Sequence, residues 1–351
     1  MIKVLIVDDS ALMRRQLTSL FEAEGDFEIR IARNGREAVE ENAAFEPDVV
    51  TLDINMPEMD GLTALSLLMA ERPVPVVMVS SLTEKGALAT FEALALGAVD
   101  YVAKPGGTIS LSIDQIRREV VSKARAAASA RPKTARSLSS RIRAERTQQS
   151  AHSERGRAGI GSDGLVLIGV STGGPRTLED ILPLLPADFP WPVLVAQHMP
   201  SSFTLPFSNR MNDLCPMQVV EAARPMTLEA GTIYIGKGGA DMVVVQRNGK
   251  PTILAKPEAA EFLWHPSVEL LGRSALEHCD PARIIAVMLT GMGYDGAEAF
   301  TEIRKRGGRT IAEAEETAVV FGMPAELIAR GGASVVLPCE KIANQIITWA
   351  R

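Results

Sequence analysis

Apolar residues fall along the first hundred positions in short bursts. KVLIVD, VVTLD, VPVVMVS and AVDYVAK are rich in β-branched residues, and a weaker burst, FEIRIA, lies between the first two. Between them the spacing lengthens. ALMRRQLTSLFEAE, GREAVEENAA, TALSLLMAE and GALATFEALALG carry apolar residues at helical intervals. This alternation predicts a parallel sheet with helices on both faces. A last helix is predicted in SIDQIRREVVSKARAAA. From Ser129 to Gly161 large apolar residues nearly vanish, and Ala, Ser, Arg and Gln dominate. Such a stretch cannot bury a core and reads as a flexible linker.

From about Gly164 the alternation resumes with LVLIGV, PVLVAQH and IIAVMLT. The stretch TIYIGKGGADMVVVQRNGKPTILAK breaks the rhythm. Its short strands around Asn248-Gly249 predict an antiparallel β-hairpin. The expected fold is α/β: two doubly wound parallel-sheet domains, over 1–128 and 162–351, joined by a linker over 129–161. The second carries the inserted hairpin.

Composition narrows this picture. A chain of 351 residues accommodates two cores, and 46% hydrophobic with 23% charged residues is ordinary for a soluble globular protein. A net charge of −6 gives no electrostatic reason to expect nucleic-acid binding. Three dispersed cysteines, Cys215, Cys279 and Cys339, argue against a disulfide framework and suit a reducing cytosol. MIKVLIVDDS is too short an apolar run for a signal peptide. No run approaches the roughly 20 apolar residues of a membrane span. A soluble, cytoplasmic protein without direct membrane insertion is expected.

In doubly wound sheets chemistry collects at the carboxyl ends of strands. In the first half those ends carry Asp8-Asp9, Asp53 followed by Ile54-Asn55-Met56-Pro57, Ser80-Ser81 and Lys104-Pro105. Converging carboxylates repel unless a cation neutralises them, and hard oxygen donors suit Mg²⁺. Lys104 would pair with the oxygens of a phosphoryl group. Taken singly, Asp8-Asp9 is as easily a cap for the helix starting near Ser10. Four strand ends carrying these residues in this order favour the site.

In the second half, VLIGVSTGGPRTL places Ser171 between a strand and a helix, within Gly169-Val170-Ser171-Thr172-Gly173. The pattern G-x-S-x-G exposes a nucleophilic serine on a sharp turn. The same glycines equally suit a helix N-terminus approaching phosphate. A serine nucleophile needs a base. Of the four histidines, only His198 directly follows an apolar strand; His152 lies in the linker, His278 near a helix end, and His265 at the start of a helical stretch. A third strand leads into Gly291-Met292-Gly293-Tyr294-Asp295, so Asp295 would orient His198. The competing reading finds a second glycine-rich stretch, IGKGGADM, with Lys237 as an anion contact. It finds no P-loop pattern and no acidic residue at the second strand's end for a ribose.

The motifs VDDS, TLDINMPEMDGL, MVSS and YVAKP make residues 1 to about 128 similar to a response-regulator receiver domain. IGVSTGGP, QHMPSSFT, HPSVELL, LTGMGYDGA and VVFGMP make residues 162–351 resemble the catalytic domain of the CheB chemotaxis methylesterases. The receiver resemblance implies Asp53 as phosphoacceptor. Asp8, Asp9, Asp53 and the Asn55 carbonyl would be Mg²⁺ ligands. Ser80 and Tyr101 are then switch residues, Lys104 pairs with phosphate, and the Lys104-Pro105 bond is cis. The catalytic resemblance implies Ser171 as nucleophile, His198 as general base and acid, Asp295 as orienting carboxylate and the Met292 N–H as oxyanion donor. It needs no cofactor for the ester reaction.

The implied substrates are glutamate γ-methyl esters, and glutamines, on methyl-accepting chemoreceptors. The implied phosphodonor is a chemotaxis histidine kinase, and phosphorylation would release a receiver packed over the cleft. The sequence departs from the family pattern at Lys237, Asp241, Trp264-His265, Glu313 and Ala314, which stand at the rim of the expected cleft. The rival reading is a receiver joined to a non-enzymatic docking module.

Overall fold

The computed structural model describes residues 1–80, 83–104, 113–130 and 164–351. The chain forms two compact units, Met1–Arg143 and Ala144–Arg351. Almost all of the stretch read as a linker, His152 included, and Pro105 of the Lys104-Pro105 bond lie outside the described residues.

In the first unit, five strands form one parallel sheet. They are β1 (Ile2–Val7), β2 (Phe27–Ala32), β3 (Val49–Asp53), β4 (Val76–Ser80) and β5 (Asp100–Ala103), in the order β2-β1-β3-β4-β5. The order reverses direction at β1 and β3, which opens a crevice beyond their carboxyl ends. Every residue of β3 and β4 is buried, which explains their unbroken apolar runs.

The second unit is built on seven parallel strands. These are β6 (Leu165–Val170), β7 (Val193–Gln197), β8 (Gln218–Ala222), β10 (Thr232–Gly236), β13 (Ile284–Met288), β14 (Arg309–Glu313) and β15 (Val335–Leu337). Their order is β15-β14-β13-β6-β7-β10-β8. The switch point lies at β6, which pairs with β13 on one side and β7 on the other. All three are buried along their full length. Each large apolar side chain there contributes about 1.5–3 kcal/mol, so the strands nearest the switch point form the firmest part of the unit.

An antiparallel sheet, β11 (Asp241–Arg247), β12 (Lys250–Lys256) and the two-residue β9 (Met226–Thr227), is inserted as expected. Asn248 (φ 52°) and Gly249 (φ 70°) both adopt the left-handed conformation that a two-residue hairpin turn demands. One correction concerns its extent. TIYIG belongs to the large parallel sheet as β10, and the hairpin begins only at Asp241. The burial of every β10 residue, against exposed ends in β11 and β12, separates the two. Strands β8, β14 and β15 are not evident from apolar runs. Two are edge strands with mixed burial, so their sequences alternate weakly.

Candidate active site

In the first unit, Asp8 follows β1 and Asp53 ends β3, so both stand at the switch point. Carboxylate oxygens of Asp8, Asp9 and Asp53 lie within 4.8 Å of one another. Lys104 reaches across from the end of β5, with Nζ 2.9 Å from Asp8 Oδ2 and 2.8 Å from Asp53 Oδ2. Asp8 Oδ1 accepts the Ser10 N–H (2.8 Å), and Ser10, not Asp8, caps the helix Ala11–Glu22. Burial pushes the Asp53 carboxyl above its ordinary value; Lys104 pulls it down only in part, and Asp8 adds to the rise. Burial works against the charge on Lys104, but bonding to Asp53 and Asp8 outweighs it and raises its pKa. One ammonium against three carboxylates leaves a deficit of positive charge among hard oxygen donors, and that donor set fits Mg²⁺. The Ser80 hydroxyl donates to the Gly86 carbonyl (3.3 Å), and Tyr101 is buried. Asn55 is exposed two residues beyond Asp53.

In the second unit, the three residues predicted as a triad stand beyond three neighbouring strands, β13, β6 and β7. Ser171 directly follows β6, and its N–H donates to the Thr290 carbonyl just past β13 (2.9 Å). His198 follows β7, and its N–H donates to Val170 (3.1 Å). Asp295 lies on the loop after β13. Its Oδ2 is 2.8 Å from His198 Nε2.

Asp295 receives three further donors: Val268 N–H (2.7 Å), Glu269 N–H (2.9 Å) and the Ser267 hydroxyl (3.1 Å). The two amides open the helix Val268–His278, so the carboxylate also sits at a helix N-terminus. Burial tends to raise its pKa. The bond to His198, the charge of His198 and the two helix amides prevail, and the carboxyl is held below its ordinary value. An ionised carboxylate only accepts hydrogen bonds, so Nε2 of a neutral His198 carries the proton. The lone pair is then on Nδ1, which is buried and makes no hydrogen bond among the described residues. The nitrogen facing the aspartate is Nε2, where the familiar serine-protease arrangement has Nδ1.

Gly291 explains why the loop after β13 needs glycine. A Cβ there would lie 2.8 Å from Ser171 Cβ and 2.5 Å from Met323 Sδ. Its N–H donates to Val320 (3.0 Å), and its carbonyl accepts from Gly322 and Met323 (3.1 and 2.8 Å). The next amide, that of Met292, makes no backbone hydrogen bond among the described residues and leaves this pinned segment beside Ser171.

Several supporting residues escape sequence reasoning. Gln197 is buried, and its Nε2 donates to the carbonyls of both Ser171 and His198 (3.0 Å each). The Thr290 hydroxyl donates to the Thr172 carbonyl (2.8 Å) and accepts the Val320 N–H (2.9 Å). Ser267 caps its own helix while bonding Asp295. A serine ahead of an apolar helix is visible in HPSVELL as a cap; that a distant aspartate shares it is not.

His265 does not begin the helix as expected. It lies two residues before the Ser267 cap, with Nδ1 2.9 Å from Asp241 Oδ1. Fully buried Asp241 also accepts the Ala259 and Ser267 amides (2.8 and 2.9 Å). These two departures therefore shape the loop that presents Ser267. The expectation of a place at the rim fails for Asp241, Glu313 and Ala314, which are buried; Glu313 accepts the Thr290 N–H (2.9 Å), and Lys237 is exposed.

With this geometry, comparison with known proteins is specific. Residues 166–346 match the family described as CheB methylesterase, and residues 4–113 match the response regulator receiver domain. A protein-glutamate methylesterase/protein-glutamine glutaminase of Rhodospirillum rubrum is 57% identical over 99% of this chain and 96% of its own length. One from Rhodopseudomonas palustris is 52% identical over 99% and 98%. The crystal structure of the Thermotoga maritima CheB methylesterase catalytic domain, 38% identical, aligns with 54% of this chain and 99% of that one at a TM-score of 0.52. The chain therefore belongs to the CheB methylesterase family, with a response-regulator receiver domain preceding its catalytic domain.

Proposed function

We propose that the protein is a phosphorylation-regulated protein-glutamate methylesterase. It hydrolyses glutamate γ-methyl esters on the cytoplasmic domains of chemoreceptors and deamidates glutamines there by the same acyl chemistry. The observation that carries this reading is the pairing of His198 Nε2 with an ionised, four-donor Asp295 beyond the strand next to Ser171. A docking module has no use for that arrangement.

Ser171 Oγ attacks the ester carbonyl while His198 Nδ1 takes its proton. Asp295 holds the ring and offsets the charge of the imidazolium. The Met292 N–H donates to the oxyanion. Collapse of the adduct expels methoxide, which takes the proton from Nδ1 and leaves as methanol. Water then attacks the acyl-serine, giving its proton to Nδ1, and the glutamate carboxyl is released as Ser171 recovers its hydrogen. No cofactor enters these steps.

In the receiver, spanning 1–128 in this reading and followed by a linker over 129–161 and a catalytic domain over 162–351, Asp53 accepts a phosphoryl group from a chemotaxis histidine kinase. Asp8, Asp9, Asp53 and the Asn55 carbonyl would hold Mg²⁺, which when bound supplies the positive charge this pocket lacks. Lys104 pairs with the phosphoryl oxygens, and Ser80 and Tyr101 respond to them. No helix among the described residues is long and apolar enough to cross a membrane, and a cytoplasmic site of action fits receptor substrates exposed there.

The test is methanol release from membranes carrying methylated chemoreceptors, with and without acetyl phosphate. Release that the phosphodonor stimulates is expected. No release under either condition contradicts the reading.

A further inference from the structure

We infer that Trp264 is a positioning residue for the catalytic histidine: its indole stacks parallel to the His198 imidazole and keeps that ring in the plane where Nε2 meets Asp295. This rests on the reading of His198 as general base.

The two rings are 5.7 Å apart between centroids and only 5° from parallel. The indole has further contacts of its own. Tyr294 meets it edge-on, with centroids 5.3 Å apart and an 84° interplanar angle. Gly293 adopts φ 89°, and a Cβ on it would lie 2.9 Å from the indole ring, so the loop passes close to the same group and needs glycine there. The neighbouring His265 is tied by Nδ1 to fully buried Asp241 (2.9 Å). Trp264 is thus held at one edge by Tyr294 and through the adjacent residue, and its ring stands parallel to that of His198.

Two consequences follow from that stacking. Turning the imidazole about its Cβ–Cγ bond breaks the Nε2–Asp295 bond and forfeits the stack together, so the stack resists the motion that would misplace Nδ1. When Nδ1 takes the serine proton, the ring becomes cationic over an indole, the aromatic surface that attracts cations best. The attraction is greater in the charged state than in the resting one, which is the condition for accelerating the step rather than tightening substrate binding. None of this is visible in sequence spacing, since Trp264 and His198 come from segments far apart in the chain.

The test uses the full chain and two variants, Trp264→Ala and Trp264→Phe. In the wild-type protein, ring-labelled histidine NMR should show the His198 C–H resonances, assigned with His198→Gln, shifted upfield by the indole ring current. Trp264→Ala should abolish that shift and Trp264→Phe should keep part of it. In methanol release, Trp264→Ala should lower kcat about tenfold with KM nearly unchanged, and Trp264→Phe should recover most of the loss. Absence of the ring-current shift in the wild type overturns the inference, whatever the enzyme's activity. So does a Trp264→Ala variant in which KM rises at constant kcat, which would make Trp264 a substrate contact. A wild-type protein that releases no methanol but shows the ring-current shift would fail the methylesterase reading and leave the stack standing.

Discussion

Asp53 and Asp295 are the same residue type, one ending a buried parallel strand and the other on the loop after one, and each is almost fully enclosed, at 3% and 4% exposure. Their carboxyls are nevertheless driven in opposite directions, Asp53 up and Asp295 down. Burial pushes both upward, so the difference lies in the donors and in the neighbouring charges. Asp295 is met by two helix amides, a hydroxyl and an imidazole. Asp53 has the Ile54 amide, a backbone bond from Asn55 and one lysine; it shares that lysine with Asp8, whose charge repels its own. A carboxylate whose needs are met inside the protein serves as a fixed orienting charge. One left short of positive charge is suited to receiving it from outside. Enclosure alone therefore does not distinguish the two aspartates; the donors and charges around each do.

The contrast can be broken or sharpened by substitution. The largest effect should come from Asp295→Asn. The amide can donate to Nε2 and so favours the wrong tautomer, with Nδ1 protonated; kcat for methanol release should fall by about 10⁴-fold with the fold intact. Next, Gly291→Ala forces its new methyl against Ser171 Cβ. A displacement on the order of 1 Å at the nucleophile costs about 10²-fold in kcat, with KM less affected.

Asp295→Ala should additionally destabilise the catalytic unit by about 2 kcal/mol at neutral pH, because two helix amides lose their cap. Since the folded-state carboxyl is depressed, this stabilisation is present above the unfolded value of about 3.9 and is lost as pH falls through the folded one. Thermal unfolding of wild type and variant should converge in acid. Asp53→Asn should do the opposite by a smaller amount. Its raised carboxyl costs stability at neutral pH, so the variant should unfold at a slightly higher temperature in metal-free buffer. That gain should shrink as pH falls through the raised folded value and vanish below the unfolded one. A loss of stability in Asp53→Asn matching that in Asp295→Ala would erase the distinction between the two sites.

Much of this was legible in the chain because the site residues follow strands that are buried on both faces. LVLIGV, PVLVAQH and IIAVMLT are unmistakable runs, so the residues after them, Ser171, His198 and the loop to Asp295, could be placed on one rim. The adjacency of β13, β6 and β7 was not legible, since pairing between strands so distant in sequence leaves no local pattern. Nor were the ring nitrogen that faces Asp295, the Ser267 cap shared between two elements, or the Trp264 stack. Each depends on contacts between loops, whose sequences lack periodicity. The assignment of TIYIG to the hairpin failed for a related reason: a short buried strand reads alike in either sheet until its neighbours are known.

The most direct measurement is a double readout on Ser171→Ala in the full chain: methanol release from methylated receptor membranes, and labelling of Asp53 by a phosphodonor with Mg²⁺. Methanol release should be lost while Asp53 still takes up phosphate at the wild-type level. A Ser171→Ala protein that releases methanol at the wild-type rate would contradict the assignment of ester chemistry to Ser171.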